Sequence, residues 1–245
     1  MKNILIFGAN SDIAKNFAKL YASQKSNIFL VSKNIEVLEN QKKNLLNFGA
    51  LNIDVYPLDF TKTNNYDELM KKIIKFSPHY DVCLFAQGYM PDQKLHQDNL
   101  IKITEQFNIN TLSIICIIEK LLENNIFLRN STIGIISSVA SDRGRALNYI
   151  YASTKSALDT FASGLRQRLS EKKINILLIK PGFVDTKMTK NFKKNFLFSK
   201  PEYVAQKIFD ALKRKKNLVY IPFYWRYIML MVKFIPEFIF KRFKF

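Results

Sequence analysis

Short runs of Ile, Val and Leu recur along the chain, separated by longer stretches in which apolar residues return at helical spacing. Unbroken apolar runs of this kind mark strands buried on both faces, and in a parallel sheet each is followed by a helix that crosses back. The pattern predicts strands at NILIFG, NIFLVS, IDVYPL, DVCLFA, TIGIIS, NILLIK and LVYI. Seven strands with helices between them predict an α/β fold, a doubly wound three-layer sandwich on a seven-stranded parallel sheet. A length of 245 residues at 48% hydrophobic suits one large α/β domain, and no repeat, low-complexity linker or Pro/Gly-rich hinge interrupts it. We expect a sheet-bearing body over residues 1–217, with 218–245 adding the last strand and an apolar, basic C-terminal arm rather than an independent domain.

Glycine is scarce, at seven residues, so its positions carry information. Gly8, Gly88 and Gly182 each fall at or just after the end of a predicted strand, where an open α/β sheet binds its ligand. The first of these turns, FGANSDIA, joins strand to helix as in a dinucleotide-binding unit. Gly8 allows the turn, and Asn10, Ser11, Asp12 and Ile13 bring helix N-terminal amides toward a pyrophosphate. Asp12 replaces the usual second glycine, and Ala14 is an accepted small residue for the third. An acid there suits the helix dipole but repels phosphate, so Asp12 is expected to point away from the cofactor. The second strand ends in Ser32 and Lys33, not in the acid that selects an NAD ribose, which favours NADP(H) with NAD(H) as the alternative. A solvated loop lysine is the rival reading of Lys33.

The stretch NYIYASTKSALD holds two tyrosines and a lysine. On a helix starting near Tyr149, residues four apart share a face, so Tyr151 pairs with Lys155 and Tyr149 does not. An ammonium beside a phenol should lower its pKa from about 10 toward neutrality, making Tyr151 a general acid/base. Upstream, Ser137 and Ser138 end the fifth predicted strand, where hydroxyls face the crevice. Asn110 lies near the start of a long apolar helix opened by FNINTLS, and KPGFVDT places Pro181, Gly182 and Thr186 after the sixth strand.

Together these residues resemble the short-chain dehydrogenase/reductase family over essentially the whole chain. The motifs are the Gly8 turn, Asp59 in PLDFT, FAQG where the family has Asn-Ala-Gly, Asn110, Ser138, Tyr151, Lys155 and PGFVDT. The resemblance implies a Rossmann-type fold and hydride transfer between a nicotinamide and a carbonyl or alcohol carbon. It implies that Tyr151 protonates the nascent alkoxide, Ser138 holds the substrate oxygen, Lys155 tunes Tyr151 and holds the ribose, and Asn110 holds a relay water. It also implies that Asp59 and Phe60 meet the adenine, Ala86 and Gly88 the ribose side, and Val184 and Thr186 the carboxamide. Gln87 for the family's alanine is, with Asp12, a departure bearing on cofactor affinity. SDRGRALNYIYASTKSALDTFASGLRQRL and the C-terminal arm are further similar to the branch that reduces polyprenyl-phosphate-linked 2-keto pentoses. By that likeness Arg143 and Arg145 line the mouth and meet a substrate phosphate; an exposed basic loop is the alternative.

The net charge of +18 raises nucleic acid as a partner, but fifteen Lys or Arg against three acids follow Lys187 onward, interleaved with apolar residues. With no reading element, no nucleic-acid partner is expected. From Leu218, aromatic residues alternate with Arg226, Lys233, Lys241, Arg242 and Lys244, which suits an arm lying in an anionic membrane interface; packing on its own body or a second subunit is the alternative. Cys83 and Cys116 read as buried thiols of a reducing compartment. His79 and His96 read as isolated loop residues, so no metal is expected. The beginning MKNILIFGAN does not resemble a secretory signal, so the chain is expected to be cytoplasmic or peripheral on the inner face of the cell membrane. By the family resemblance, the helices near Thr104 and Tyr149 carry the apolar and small residues with which the family forms its dimer, so a homo-oligomer is expected; core packing against the sheet is the alternative. The leading expectation is a keto reductase acting on a sugar or lipid-linked keto group. A reductase of small soluble carbonyls or acyl thioesters, and a dinucleotide-sensing or scaffolding protein, are the alternatives.

Overall fold

A computed structural model describes residues 1–62, 66–190 and 192–243. Its strands are β1 (Asn3–Phe7), β2 (Asn27–Ser32), β3 (Asn52–Pro57), β4 (Tyr80–Phe85), β5 (Phe127–Ile136), β6 (Asn175–Pro181) and β7 (Leu218–Ile221). They form one sheet in the order β3-β2-β1-β4-β5-β6-β7, every pairing parallel. All seven predicted strands are present; β5 alone begins well before the predicted run.

Alternate strand residues feed two cores. Ile4 and Ile6 meet α1 (Asp12–Ala22), α2 (Ile35–Asn47) and α8 (Pro201–Lys213) on one face. Leu5 and Phe7 meet α3 (Asp67–Phe76), α6 (Ser113–Glu123) and α7 (Tyr149–Arg168) on the other. Helix α1 shows why: Ala14, Phe17, Ala18, Tyr21 and Ala22 are buried at helical spacing, and Ser11 Oγ caps its start by accepting from the Ala14 amide at 3.2 Å. The result is the three-layer Rossmann-type sandwich.

The long helix expected around Asn110 differs from the sequence reading. It opens at α5 (Leu100–Phe107), passes through a π-helical turn at Asn108–Leu112, and continues as α6. Asn110 is therefore inside a bulged helix rather than near its start, and π turns of this kind gather at functional sites. A short helix, α4 (Gln93–His96), contains His96, whose Nε2 lies 3.1 Å from the Tyr89 hydroxyl, so this histidine is not in a loop. His79 does lie in a loop, between α3 and β4. Cys83 is buried as expected, but Cys116 is exposed because it falls on the outer face of α6.

After β7 the chain forms α9 (Trp225–Phe234), between Pro222 and Pro236, and α10 (Glu237–Phe240). The buried Trp225 and Met229 pack with Val139, Phe183 and Tyr220, so one face of the arm seats on its own body. The seat is tight: a Cβ at Gly182 would overlap the Trp225 indole. Gly182→Ala should accordingly cost about 1–3 kcal/mol by overpacking, which lowers Tm by roughly 2–4 °C per kcal/mol in a chain of this size. Differential scanning calorimetry would read this; an unchanged Tm would contradict the seating of Trp225 on β6.

Candidate active site

The strand order reverses between β1 and β4, and an open α/β sheet has its crevice outside the C-terminal ends of such strands. Gly8 forms the first wall with φ +70°, and a Cβ there would overlap the backbone of Ala86 and Gln87. Only glycine lets this turn pass so close to the end of β4. Ser11 accepts the Ala14 and Lys15 amides, which leaves the Asp12 and Ile13 amides ahead of the helical ladder. Asn10 donates to the Asn34 carbonyl at 3.3 Å, while its Oδ1 is buried and has no hydrogen-bond partner among the described residues. The Gln87 amide is likewise buried with neither end bonded among them. A glycine-only cradle, unladdered helix amides and orphaned polar atoms together fit a polar, anionic cofactor.

Asp12 turns its carboxylate to the segment after β6, where Oδ2 accepts from the Lys187 amide at 3.2 Å. Ile13, in the first turn of α1, packs against the core. At the end of β2, Ser32 is buried and Lys33 Nζ makes a 2.8 Å ion pair with Asp59 Oδ2. Burial alone would raise the Asp59 carboxyl, but Lys33 and the Thr61 amide and hydroxyl hold it at about 2. The Phe60 side chain is turned into the core, so what it offers a ligand is its backbone. Pro181 ends β6, Val184 is buried and bridges to Ser199, and Thr186 precedes a single 3-10 turn at Lys187–Thr189.

The four expected catalytic residues converge from three elements. Tyr151 and Lys155 lie on α7 one turn apart, with Lys155 Nζ 5.9 Å from the centre of the tyrosine ring. Ser138 follows β5; its Oγ accepts from the Ala140 amide at 3.1 Å and stands near enough to the Tyr151 phenol to favour the phenolate. Asn110 is fully buried: its Oδ1 accepts from the Tyr89 amide at 2.7 Å, and its Nδ2 donates to the Tyr89 carbonyl at 2.8 Å and to Thr154 Oγ1 at 3.1 Å. Its side chain clamps the chain after β4 to α7. Gly88 faces this group, with Lys155 Nζ 3.5 Å and Asn110 Oδ1 3.8 Å from where a Cβ would stand.

Three expectations are corrected. Burial pushes the Tyr151 phenol up to about 12, with the nearby Ser138 hydroxyl pulling it back, so it does not approach neutrality. Lys155 does not lower it because burial depresses the lysine itself to about 8, with Asp159 opposing, and its Nζ donates to the Ile136 carbonyl at 3.0 Å. Ser137 does not face the crevice: its hydroxyl points to α7, 2.7 Å from Asp159 Oδ1 and 3.2 Å from the Lys155 carbonyl. Arg143 does not await a phosphate either. Its guanidinium donates to the carbonyls of Val232 at 2.7 Å and Ile235 at 2.5 Å, pairs with Glu237 at 2.8 Å and lies 3.6 Å from the Phe240 ring centre. It caps the end of α9, while Arg145 packs on Met229 of the same helix.

Beneath Ser138 lies a charge network not recognised in the sequence. Lys180 Nζ is bracketed by Asp142 at 2.8 Å and Asp159 at 2.5 Å, and the buried Asp142 also takes the Tyr220 hydroxyl at 2.9 Å and Lys233 at 3.3 Å. Burial works against the lysine charge, and the two carboxylates overcome it, holding the Lys180 pKa above its ordinary value. Thr154 and Trp225 were also missed. A lysine inside the apolar run NILLIK, and an aspartate four residues after Lys155 on one helical face, were the available signals.

The pattern of the short chain dehydrogenase family matches residues 2–196, four-fifths of the chain and every crevice residue above. The chain belongs to this family. It is 26% identical over 239 residues to an uncharacterized oxidoreductase of Mycobacterium tuberculosis, covering 98% of this chain and 96% of the relative. It is also 26% identical to carbonyl reductase family member 4 of Xenopus laevis, over 84% of this chain and 89% of the relative. An uncharacterized oxidoreductase of Staphylococcus epidermidis is 27% identical, over 86% and 89% respectively. This short-chain dehydrogenase is accordingly an NAD(P)-dependent oxidoreductase.

Because burial disfavours its phenolate, Tyr151 keeps its proton at neutral pH and loses it only well above the usual tyrosine range. Ultraviolet difference titrations of wild type and Tyr151→Phe should coincide up to about pH 10, the reference tyrosine value. A tyrosinate signal near pH 8 that vanishes in Tyr151→Phe would contradict this.

Proposed function

We propose that this short-chain dehydrogenase uses NADPH to reduce a keto group on a sugar or polyprenyl-phosphate-linked substrate. The observation that carries the reading is the convergence of Ser138, Tyr151 and Lys155 beside Gly88 at the base of the crevice. The cofactor, when bound, supplies the hydride. Tyr151, protonated at neutral pH, donates its phenolic proton to the oxygen that becomes an alcohol, and Ser138 Oγ hydrogen-bonds that same oxygen as its charge develops. Lys155, with a pKa of about 8, holds a proton in reserve near the phenol and faces the ribose. Asn110, which meets Lys155 beside Gly88, orders a water that returns protons to Lys155.

The Asn10, Ser11, Asp12 and Ile13 backbone takes the pyrophosphate at the Gly8 turn. Asp59 and the Phe60 backbone meet the adenine, Ala86 and Gly88 the ribose side, and Pro181, Gly182, Val184 and Thr186 the carboxamide end. Lys33, whose side chain is 69% exposed, swings from Asp59 to a 2'-phosphate beside Ser32, and this supports NADPH over NADH.

An apolar substrate portion is supported by the segment beside Tyr151. Met90 packs on Tyr151 and Gln93 Oε1 accepts from the Ile150 amide, yet the same segment leaves Leu95, Leu100 and Ile101 at 73%, 80% and 73% exposure. The name of the frog relative, a carbonyl reductase, favours reduction of small soluble carbonyls as the second reading.

NADPH oxidation measured across polyprenyl-phosphate-linked keto sugars and soluble ketones tests the proposal. Turnover is expected with the lipid-linked substrates, with NADPH preferred over NADH, and should fall about 10²–10⁴-fold in Tyr151→Phe. Turnover of soluble carbonyls alone would establish the second reading, and undiminished turnover in Tyr151→Phe would refute the assigned acid.

A further inference from the structure

Helix α9 carries apolar side chains on two opposite faces, and the fold uses only one. Trp225, Ile228, Met229 and Val232 face the body. On the other side Tyr227, Leu230, Met231 and Phe234 stand 60%, 52%, 66% and 78% exposed, with Phe223 before the helix at 72% and Phe238 beyond it at 63%. This outward stripe has no part in seating the arm, because Trp225 and Arg143 already do that.

The charge around the stripe is of one sign. Arg226, Lys241 and Arg242 are exposed, Lys233 is half-exposed, and the only acid in residues 218–243, Glu237, is paired with Arg143. A second copy docked here would bring these cations against one another, whereas an acidic surface would neutralise them. Large aromatic and aliphatic groups flanked by Arg and Lys on a helix too short and charged to span a bilayer are what lie in a headgroup interface. Among the described residues no helix is long and apolar enough to cross a membrane.

We infer that the outward face of α9, with Phe223 and the α10 turn, is a docking surface for an anionic lipid bilayer. The surface is rigidly joined to the site. Arg143 lies just beyond the 3-10 turn Val139–Asp142 that follows Ser138, and it binds the carbonyls ending α9. Lys233 reaches back to Asp142 at 3.3 Å, and Trp225 covers Gly182 at the end of β6. Docking therefore holds the substrate end of the crevice at the membrane, whichever ketone is reduced there.

Co-sedimentation of the full-length protein with phosphatidylglycerol-containing and with pure phosphatidylcholine vesicles tests the surface. Binding is expected on the anionic vesicles, at least tenfold weaker on the neutral ones, and falling as salt rises. Tyr227→Asp with Phe234→Asp should cut it tenfold or more while Tm and NADPH binding stay at wild-type values. Equal partition onto both vesicle types, or none onto either, would overturn the inference. So would lipid-free self-association by analytical ultracentrifugation that the same double substitution abolishes, since the stripe would then seat a second copy.

Discussion

The site depends on one buried cation. Lys180, on β6, stands between Asp142, in the turn after Ser138, and Asp159, on the helix that carries Tyr151 and Lys155. Three separate elements are thus fixed by a single ammonium. Because the Asp142 side chain is only 1% exposed and that of Lys180 7%, removing one partner would strand a charge away from water, a loss of about 3–5 kcal/mol. The Ser137 hydroxyl, bonded to Asp159, adds a second tie between β5 and α7. The closeness of Ser138 to the Tyr151 phenol is the product of this framework, since neither residue's own segment sets their separation.

The same burial that makes the network strong sets the protonation of Tyr151. A phenol shut away from water holds its proton, and an ammonium shut away from water gives its proton up more readily. Tyr151 and Lys155 are therefore displaced in opposite directions, one upward and one downward. A protonated phenol beside a serine hydroxyl is suited to reduction, where an alkoxide must receive a proton. The spacing of Tyr151 and Lys155 pointed to an ammonium acting directly on the phenol, whereas desolvation governs both groups.

Local patterns in the sequence were sufficient for the sheet, the Gly8 turn and the Tyr151–Lys155 pairing, because each is set by periodicity or by a residue type with few alternatives. Contacts between distant segments were not legible. Arg143 read as a basic loop residue because its acceptors, the carbonyls of Val232 and Ile235, lie about ninety positions downstream and leave no mark in composition. Ser137 and Ser138 are neighbours whose side chains part to opposite sides, so spacing alone did not separate their roles. Cys116 followed the apolar run of α6 in type but falls on its exposed face. The π turn at Asn108–Leu112 has no simple signature in a run of Asn, Ile and Thr.

The C-terminal arm extends this dependence outward, since Asp142 also receives Lys233 and Arg143 holds the end of α9. The body, the candidate site and the arm thus meet at one turn. The central claim is that a nicotinamide dinucleotide lies in the crevice between β1 and β4, with Tyr151 at its base. Hydrogen–deuterium exchange with and without NADPH tests it directly. Slowed exchange is expected in the turn of residues 8–13, in residues 86–88 and at the start of α7. Slowed exchange confined to other segments, with these unchanged, would contradict it.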